Sequence, residues 1–179
     1  MELPKRKRLR LEEYDYGEQG YYFITLCTYK RQRLFEIYPP IVGNDLCVVP
    51  PVQNKIIEKW IIETQRKFDN IKIEKYVIMP DHLHFIFNIS ERHIGRSLQD
   101  AIRFFKTMTT NEYIRYVNDN LLSAFGEKLW QKSYYDHIIR NEKDYLEICE
   151  YIDSNPAAWV EKQESINLFA EILQKKDNP

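Results

Sequence analysis

Apolar and β-branched residues cluster in four stretches whose composition is typical of strands. Residues 21–28 form the first, and residues 71–78 and 82–89 follow as a closely spaced pair. Only three residues separate the members of this pair, so they are predicted to form an antiparallel hairpin. Residues 134–139 are predicted to be extended as well.

Between these stretches the apolar residues recur at helical spacing instead. This spacing predicts helices over residues 52–68 and 98–116. Asn141 followed by Asp144 is the pattern of a helix N-cap and predicts the start of a third helix. Pro156 is predicted to end or bend that helix, because proline cannot donate the main-chain hydrogen bond.

The predicted order is strand, helix, strand, strand, helix, strand, helix. This order favours an α+β fold of the ferredoxin-like type, with helices packed on an antiparallel sheet. The length of 179 residues predicts a single domain over residues 1–179, with a basic N-terminal arm (1–12) and a C-terminal tail (160–179). A short helix is expected within the tail, and residues 46–49 are expected to be a short strand or edge piece.

Composition narrows the class of protein. Apolar residues make up 44% and charged residues 30%, which is typical of a globular protein with a core. No run of 18 apolar residues is present to span a membrane, and no apolar stretch follows the basic N-terminus as in a secretory signal. The three cysteines form no Cys-x-x-Cys pair, so we expect reduced thiols and a cytoplasmic protein.

The net charge is only −1, but several positive side chains are clustered. Such clusters can hold the phosphates of a nucleic acid, although a basic terminus can also be simply solvated. Lys106 is equally compatible with a solvated helix position. The candidate DNA-binding residues are Lys5, Arg6, Lys7, Arg8, Arg10, Lys30, Arg31, Arg33, Lys106 and Arg140.

His82 and His84 lie on a predicted strand with one residue between them. Side chains alternate between the faces of a strand, so both imidazoles point the same way. Two neutral imidazoles at this spacing can bind one divalent ion, whereas the alternative is two unrelated histidines on a solvated face. We favour the metal site.

Tyr151 and Asn155 are four residues apart on the third predicted helix and share a face. The amide oxygen of Asn155 suits a hard ion such as Mg²⁺ or Mn²⁺, and a tyrosine beside a metal-held phosphodiester can attack its phosphorus. The chain has 13 tyrosines, so simple packing is the alternative for Tyr151. Tyr134 and Tyr135 are rival nucleophiles, but sheet packing is favoured for both.

The segment 77–84, which contains His-Leu-His, resembles the His-hydrophobe-His (HUH) motif of single-tyrosine transposases. Further segments resemble the REP-associated tyrosine transposases, in the same order and over nearly the whole chain. These segments are residues 11–16 with 22–28, 104–111, 129–131 with 134–140, and 150–156.

The resemblance implies that Tyr151 is a nucleophile that forms a 5′-phosphotyrosine bond and releases a 3′-hydroxyl. It implies that His82, His84 and Asn155 bind Mg²⁺ or Mn²⁺. The implied fold is ferredoxin-like, and the implied substrate is single-stranded DNA near palindromic hairpins. Relatives of this kind work as monomers or homodimers, so both states stay open.

Two positions depart from the family pattern. Asp81 stands where the family commonly has Asn, and its carboxylate either tunes the metal or shapes the turn. The stretch after Ile89 is also short, which implies a reduced DNA-contacting loop.

Two other functions compete with transposition. The first is a non-catalytic module that binds single-stranded nucleic acid by stacking, which leaves the histidine pair and the Tyr151–Asn155 pair unexplained. The second is a metal-dependent nuclease in which water attacks instead of Tyr151.

Overall fold

The computed structural model describes residues 19–37, 50–90 and 98–176, with the side chains of the last helix described as far as residue 166. The predicted arm (1–12), the short strand at 46–49 and the basic residues before residue 19 lie outside these ranges. The elements are β1 (Gly20–Cys27), a 3₁₀ turn (Tyr29–Arg31), α1 (Val52–Lys67), β2 (Ile71–Met79), β3 (His82–Ile89), α2 (Leu98–Asn118), β4 (Tyr135–Ile139) and α3 (Glu142–Lys176).

The four strands form one sheet in the order β2-β3-β1-β4. Strand β1 pairs antiparallel with both β3 and β4, and β2 pairs antiparallel with β3. Together with the βαββαβ order of the chain, this arrangement is ferredoxin-like and confirms the predicted α+β fold.

The two faces of the sheet carry different layers. Alternate residues of β1, including Tyr22 and Ile24, face a large core closed by α1 and α2. Phe23 points the other way and packs in a smaller cluster with Ile152 of α3. Helix α3 therefore covers the face opposite α1 and α2.

Helix α3 begins where the sequence predicts. The side-chain oxygen Oδ1 of Asn141 accepts a hydrogen bond from the backbone N–H of Asp144 at 2.9 Å, which confirms the predicted N-cap. This cap fixes the point at which the chain leaves β4 and crosses the sheet.

Of the two outcomes predicted at Pro156, an end of the third helix is wrong, because α3 is assigned without a break to Lys176 and includes Pro156. A bend at Pro156 stays a prediction. No separate tail helix begins after residue 160. Proline removes one main-chain hydrogen bond, and contacts made beyond it offset that loss. Trp159 lies beside His82, and Gln163 accepts a hydrogen bond from Arg33.

None of the helices in the described ranges combines the length and the apolar character that crossing a membrane requires.

Candidate functional site

The two histidines of β3 lie on the face of the sheet that α3 covers. Their cross-strand partners on β1 are Thr25 for His84 and Cys27 for His82, and these partners point to the same face as Phe23. Both imidazoles are buried, with exposed fractions of 6% for His82 and 4% for His84. Their Nε2 atoms lie 3.1 Å apart. Adjacent ligands of an octahedral ion with bonds near 2.1 Å are about 3 Å apart, so the pair has the spacing of two neighbouring ligand positions.

Different groups hold the other ring nitrogens. His82 Nδ1 lies 2.5 Å from Asp81 Oδ1, and His84 Nδ1 lies 2.8 Å from the hydroxyl of Thr25. The ring of Phe23 stacks on that of His84 at 5.2 Å between centroids. These contacts fix the orientation of both rings and leave the two Nε2 atoms facing one another.

Burial keeps both imidazoles neutral. The pKa of His84 is lowered to about 3, mainly by burial and to a smaller extent by His82 and the positive charge of Arg31. Burial also lowers the pKa of His82, and Asp81 offsets this only partly. Neutral imidazole is the form that binds metal ions, so both rings are in the competent form at neutral pH.

Tyr151 extends from α3 towards this pair. Its hydroxyl lies 3.4 Å from His84 Nε2, and its ring meets those of His84 and Phe23 edge-on. The residue is 48% exposed, so solvent and a large substrate can reach it. The expected proximity of Tyr151 to the histidines is confirmed, whereas its role as nucleophile stays a prediction.

Asn155 lies one turn beyond Tyr151 on α3 and is half-buried. Its role as a third ligand stays a prediction. Within the described ranges no group of three His, Cys, Asp or Glu side chains could hold an ion. A metal bound at His82 and His84 would therefore need an amide, water or substrate oxygen to complete its coordination.

The segment after β1 wraps around the turn that precedes the histidines. Arg31 Nε lies 3.3 Å from Asp81 Oδ2, and Arg31 Nη1 donates to Cys27 Sγ at 3.0 Å. Lys30 and Arg31 both adopt left-handed backbone conformations, with φ of 54° and 57°. Non-glycine residues rarely adopt this conformation, and it occurs preferentially at functional sites.

Sequence reasoning missed several residues of the site. Trp159 lies with its ring centroid 6.0 Å from that of His82, and the guanidinium of Arg33 lies 5.6 Å from the indole centroid. Thr25 and Phe23 were assigned only to a strand. Their contacts depend on strand register and helix docking, which leave no local signal in the sequence.

The basic candidates are dispersed. Lys30 pairs with Glu127 at 3.2 Å, and Arg140 begins the loop into α3. Lys106 does not face the histidines, because α2 packs on the opposite face of the sheet. Its ammonium donates to the carbonyls of Gln131 and Lys132 at 2.5 and 3.1 Å. DNA binding by all of these residues stays a prediction.

The two tyrosines at the start of β4 have different environments. Tyr134 is 8% exposed and belongs to the large core, as its predicted packing role requires. Tyr135 is 52% exposed and pairs with Thr25 of β1, so the sheet-packing role predicted for it stays a prediction. It lies on the edge strand β4 and, as the cross-strand partner of Thr25, on the same face of the sheet as the histidines.

Comparisons with known proteins agree with this arrangement. Residues 48–155 match the family described as Transposase IS200 like. An uncharacterized protein of Haemophilus influenzae is 33% identical over 172 residues, which cover 88% of this chain and 92% of that protein.

Two further relatives carry a more specific name. The REP-associated tyrosine transposase of Escherichia coli K12 is 27% identical over 113 residues, or 62% of this chain and 59% of that protein. A solved REP-associated tyrosine transposase bound to a REP hairpin covers 83% of this chain and 74% of its own, with a TM-score of 0.56 and 22% identity. This last likeness shows a shared fold.

Proposed function

This chain belongs to the family of IS200-like transposases, and from that premise we propose that it cuts and rejoins single-stranded DNA near hairpins through a 5′-phosphotyrosine on Tyr151. One observation carries the proposal. The Tyr151 hydroxyl lies 3.4 Å from His84 Nε2, which in turn lies 3.1 Å from His82 Nε2.

The step is a transesterification at phosphorus. The oxygen of Tyr151 forms a bond to phosphorus while the bond from phosphorus to the 3′-oxygen breaks. The phenol proton passes to solvent, which the half-exposed side chain contacts, and the leaving oxygen takes up a proton from water. The phosphotyrosine keeps a phosphodiester bond, so attack by another 3′-hydroxyl rejoins DNA without a nucleotide cofactor.

His82, His84 and Asn155 are the proposed ligands of Mg²⁺ or Mn²⁺. When bound, the ion would neutralise phosphoryl oxygens and the leaving oxygen. The chain's own contribution is to hold two neutral imidazoles at ligand spacing. It also places the phenol on the same side, with Phe23 packed against both His84 and Tyr151.

Hairpin DNA is the proposed partner. The named REP-associated relatives support it, one of them solved with a REP hairpin. Arg31 and Arg33 contact Asp81 and Trp159 beside the site and are candidates for phosphate contacts.

The proposal is tested with end-labelled single-stranded hairpin DNA and Mn²⁺, followed by a denaturing gel. Wild-type protein should release a cleaved strand and form a protein-linked band. Tyr151→Phe is the matched control, since it keeps the ring contacts and lacks only the nucleophilic oxygen. His82→Ala should lose cleavage because a proposed ligand is missing.

Each rival function has its own outcome. Cleavage by Tyr151→Phe would show that water attacks, as in a nuclease. A wild-type protein that binds the oligonucleotide with no cleavage or adduct would be the non-catalytic module instead.

The contact between Tyr151 and His84 is made within one chain, which supports a site completed in cis. Mixing Tyr151→Phe with His82→Ala should therefore restore no cleavage. Recovery of activity in the mixture would instead require a partner's helix to complete the site.

A further inference from the structure

Asp81 is a buried acid next to the histidine pair. Its side chain is only 9% exposed, although ionised carboxylates normally lie at the surface unless they are paired. Two groups surround it. His82 Nδ1 lies 2.5 Å from Oδ1, and Arg31 Nε lies 3.3 Å from Oδ2. The carboxylate therefore bridges a proposed metal ligand and a cation.

The turn at Asp81 is held by main-chain groups and does not need this carboxylate. The backbone N–H of Thr28 donates to the Asp81 carbonyl at 3.0 Å. The Pro80 carbonyl accepts from the backbone N–H groups of Leu34 and Phe35 at 2.9 and 3.1 Å. The carboxylate of Asp81 is therefore not required to hold the turn, and its contacts with His82 and Arg31 have another role.

The chemistry of the contact selects one form of His82. A carboxylate can only accept a hydrogen bond, so Nδ1 of His82 carries the proton and donates. Nε2 is then a bare lone pair, directed at the 3.1 Å gap towards His84. The Thr25 hydroxyl beside His84 Nδ1 can donate or accept, so it imposes no such choice on His84.

We infer that Asp81 is a positioning residue that holds His82 in the Nδ1-protonated tautomer, with Nε2 aimed at the metal position, and that Arg31 holds Asp81 in turn. A carboxylate partner on the remote nitrogen also strengthens an imidazole as a ligand. This inference rests on the proposed metal-dependent function, and it attributes the fixed orientation of His82 to Asp81.

The test compares full-length wild type with Asp81→Asn and Asp81→Ala. Glu63→Gln is the control, since it removes the same charge from an exposed i,i+3 pair with Arg66 on α1, on the other side of the sheet. The Mn²⁺ dissociation constant is measured from the electron paramagnetic resonance signal of free Mn²⁺. The tautomer of His82 is read in metal-free protein from long-range ¹H–¹⁵N correlations.

Asp81→Ala should bind Mn²⁺ about 10- to 100-fold more weakly than wild type, as is typical when the partner of a ligand is removed. It should also show a mixture of His82 tautomers. Asp81→Asn should keep the Nδ1-protonated form, because its amide oxygen accepts the same bond, and should lose less affinity than the alanine variant. Glu63→Gln should match wild type in both measurements.

Equal losses of affinity in the Asn and Ala variants with unchanged tautomers would overturn the inference, since charge alone would explain them. Wild-type affinity in Asp81→Ala would overturn it too. If Asp81→Ala does not fold, Asp81→Ser takes its place in both measurements, because the serine side chain is too short for its hydroxyl to reach His82 Nδ1. A wild-type protein that binds no Mn²⁺ would defeat the metal role in the proposed function, and this inference with it.

Discussion

Three tyrosines of this chain differ in their exposure to solvent and in the contacts that hold them. Tyr134 is packed in the large core, whereas Tyr135, next in sequence, projects from the edge of the sheet. Tyr151 is half-exposed, yet the rings of His84 and Phe23 hold it in place. Of these three tyrosines, Tyr151 combines exposure to substrate with ring contacts that fix its orientation, which is what a nucleophile needs.

The two β4 tyrosines should respond differently to truncation. Tyr134→Ala should lower the free energy of unfolding by about 3 to 5 kcal/mol, because it leaves a cavity in the core. Tyr135→Ala should change it by less than about 0.5 kcal/mol, since the side chain is exposed. Urea denaturation measures both. Equal losses in the two variants would contradict the burial described for this pair.

At the scale of elements, α3 carries the proposed nucleophile and one of the three proposed metal ligands. Its N-terminus is fixed by Asn141, its first buried contacts lie on Phe23 and Ile139, and Tyr151 and Asn155 follow one turn apart. The later turns reach His82 through Trp159. The position of the phenol therefore depends on how this helix starts and docks.

Loss of the N-cap should weaken α3. Asn141→Ala should lower the free energy of unfolding by about 1 kcal/mol, because the N–H of Asp144 loses its acceptor. Asn141→Ser is the matched control and should stay close to wild type, since serine also caps helices well. Thermal or urea unfolding gives the comparison. Equal stability of all three proteins would argue against the cap.

Asp144 should titrate at unusually low pH. Desolvation acts to raise its pKa, but hydrogen bonds from His137 and from the backbone N–H of Arg140 outweigh it, so the pKa is lowered from 3.8. The contribution of this pairing to the stability of the folded state is therefore complete at pH values above the pKa of Asp144 in the unfolded chain. It is lost as the pH falls through the lower pKa of the folded state. NMR titration should show the pKa of Asp144 rising in His137→Ala, which removes the donor. An unchanged value would exclude the pairing.

At the scale of the whole molecule, the site joins parts that lie far apart in sequence. The histidines come from the β2–β3 hairpin, Tyr151 lies 67 residues after His84, and Arg31 precedes both. A ligand that binds this assembled site binds the folded chain better than the unfolded one. Metal binding and folding should therefore be coupled.

Divalent metal should stabilise the protein against heat. With Mn²⁺ at 100 times its dissociation constant, the gain should be about 2.7 kcal/mol, reversed by a chelator. Differential scanning calorimetry with and without Mn²⁺ measures this. His84→Ala, which lacks a proposed ligand, should show no shift. An equal shift in this variant would mean that Mn²⁺ binds elsewhere.

Much of the fold could be predicted because its signals are local. Strand β3 was expected over the residues that form it, and α1 and α2 begin where their apolar spacing begins. The end of α3 was missed, because the contacts that carry the helix past Pro156 come from the distant Arg33 and His82. The exposure of Tyr135 was not predicted, because a sequence does not reveal which strand lies at an edge.

The sequence by itself determined the order of the elements, the shared face of His82 and His84, and the single turn between Tyr151 and Asn155. Each follows from the fixed geometry of one strand or one helix. Only the tertiary structure decided that the Tyr151 phenol meets the imidazoles and that Lys106 lies on the other side of the sheet from them. It also decided that Thr25 contacts His84 while Asp81 contacts His82. Those relations depend on strand register and on which helix covers which face, and both are set by burial summed over the whole core.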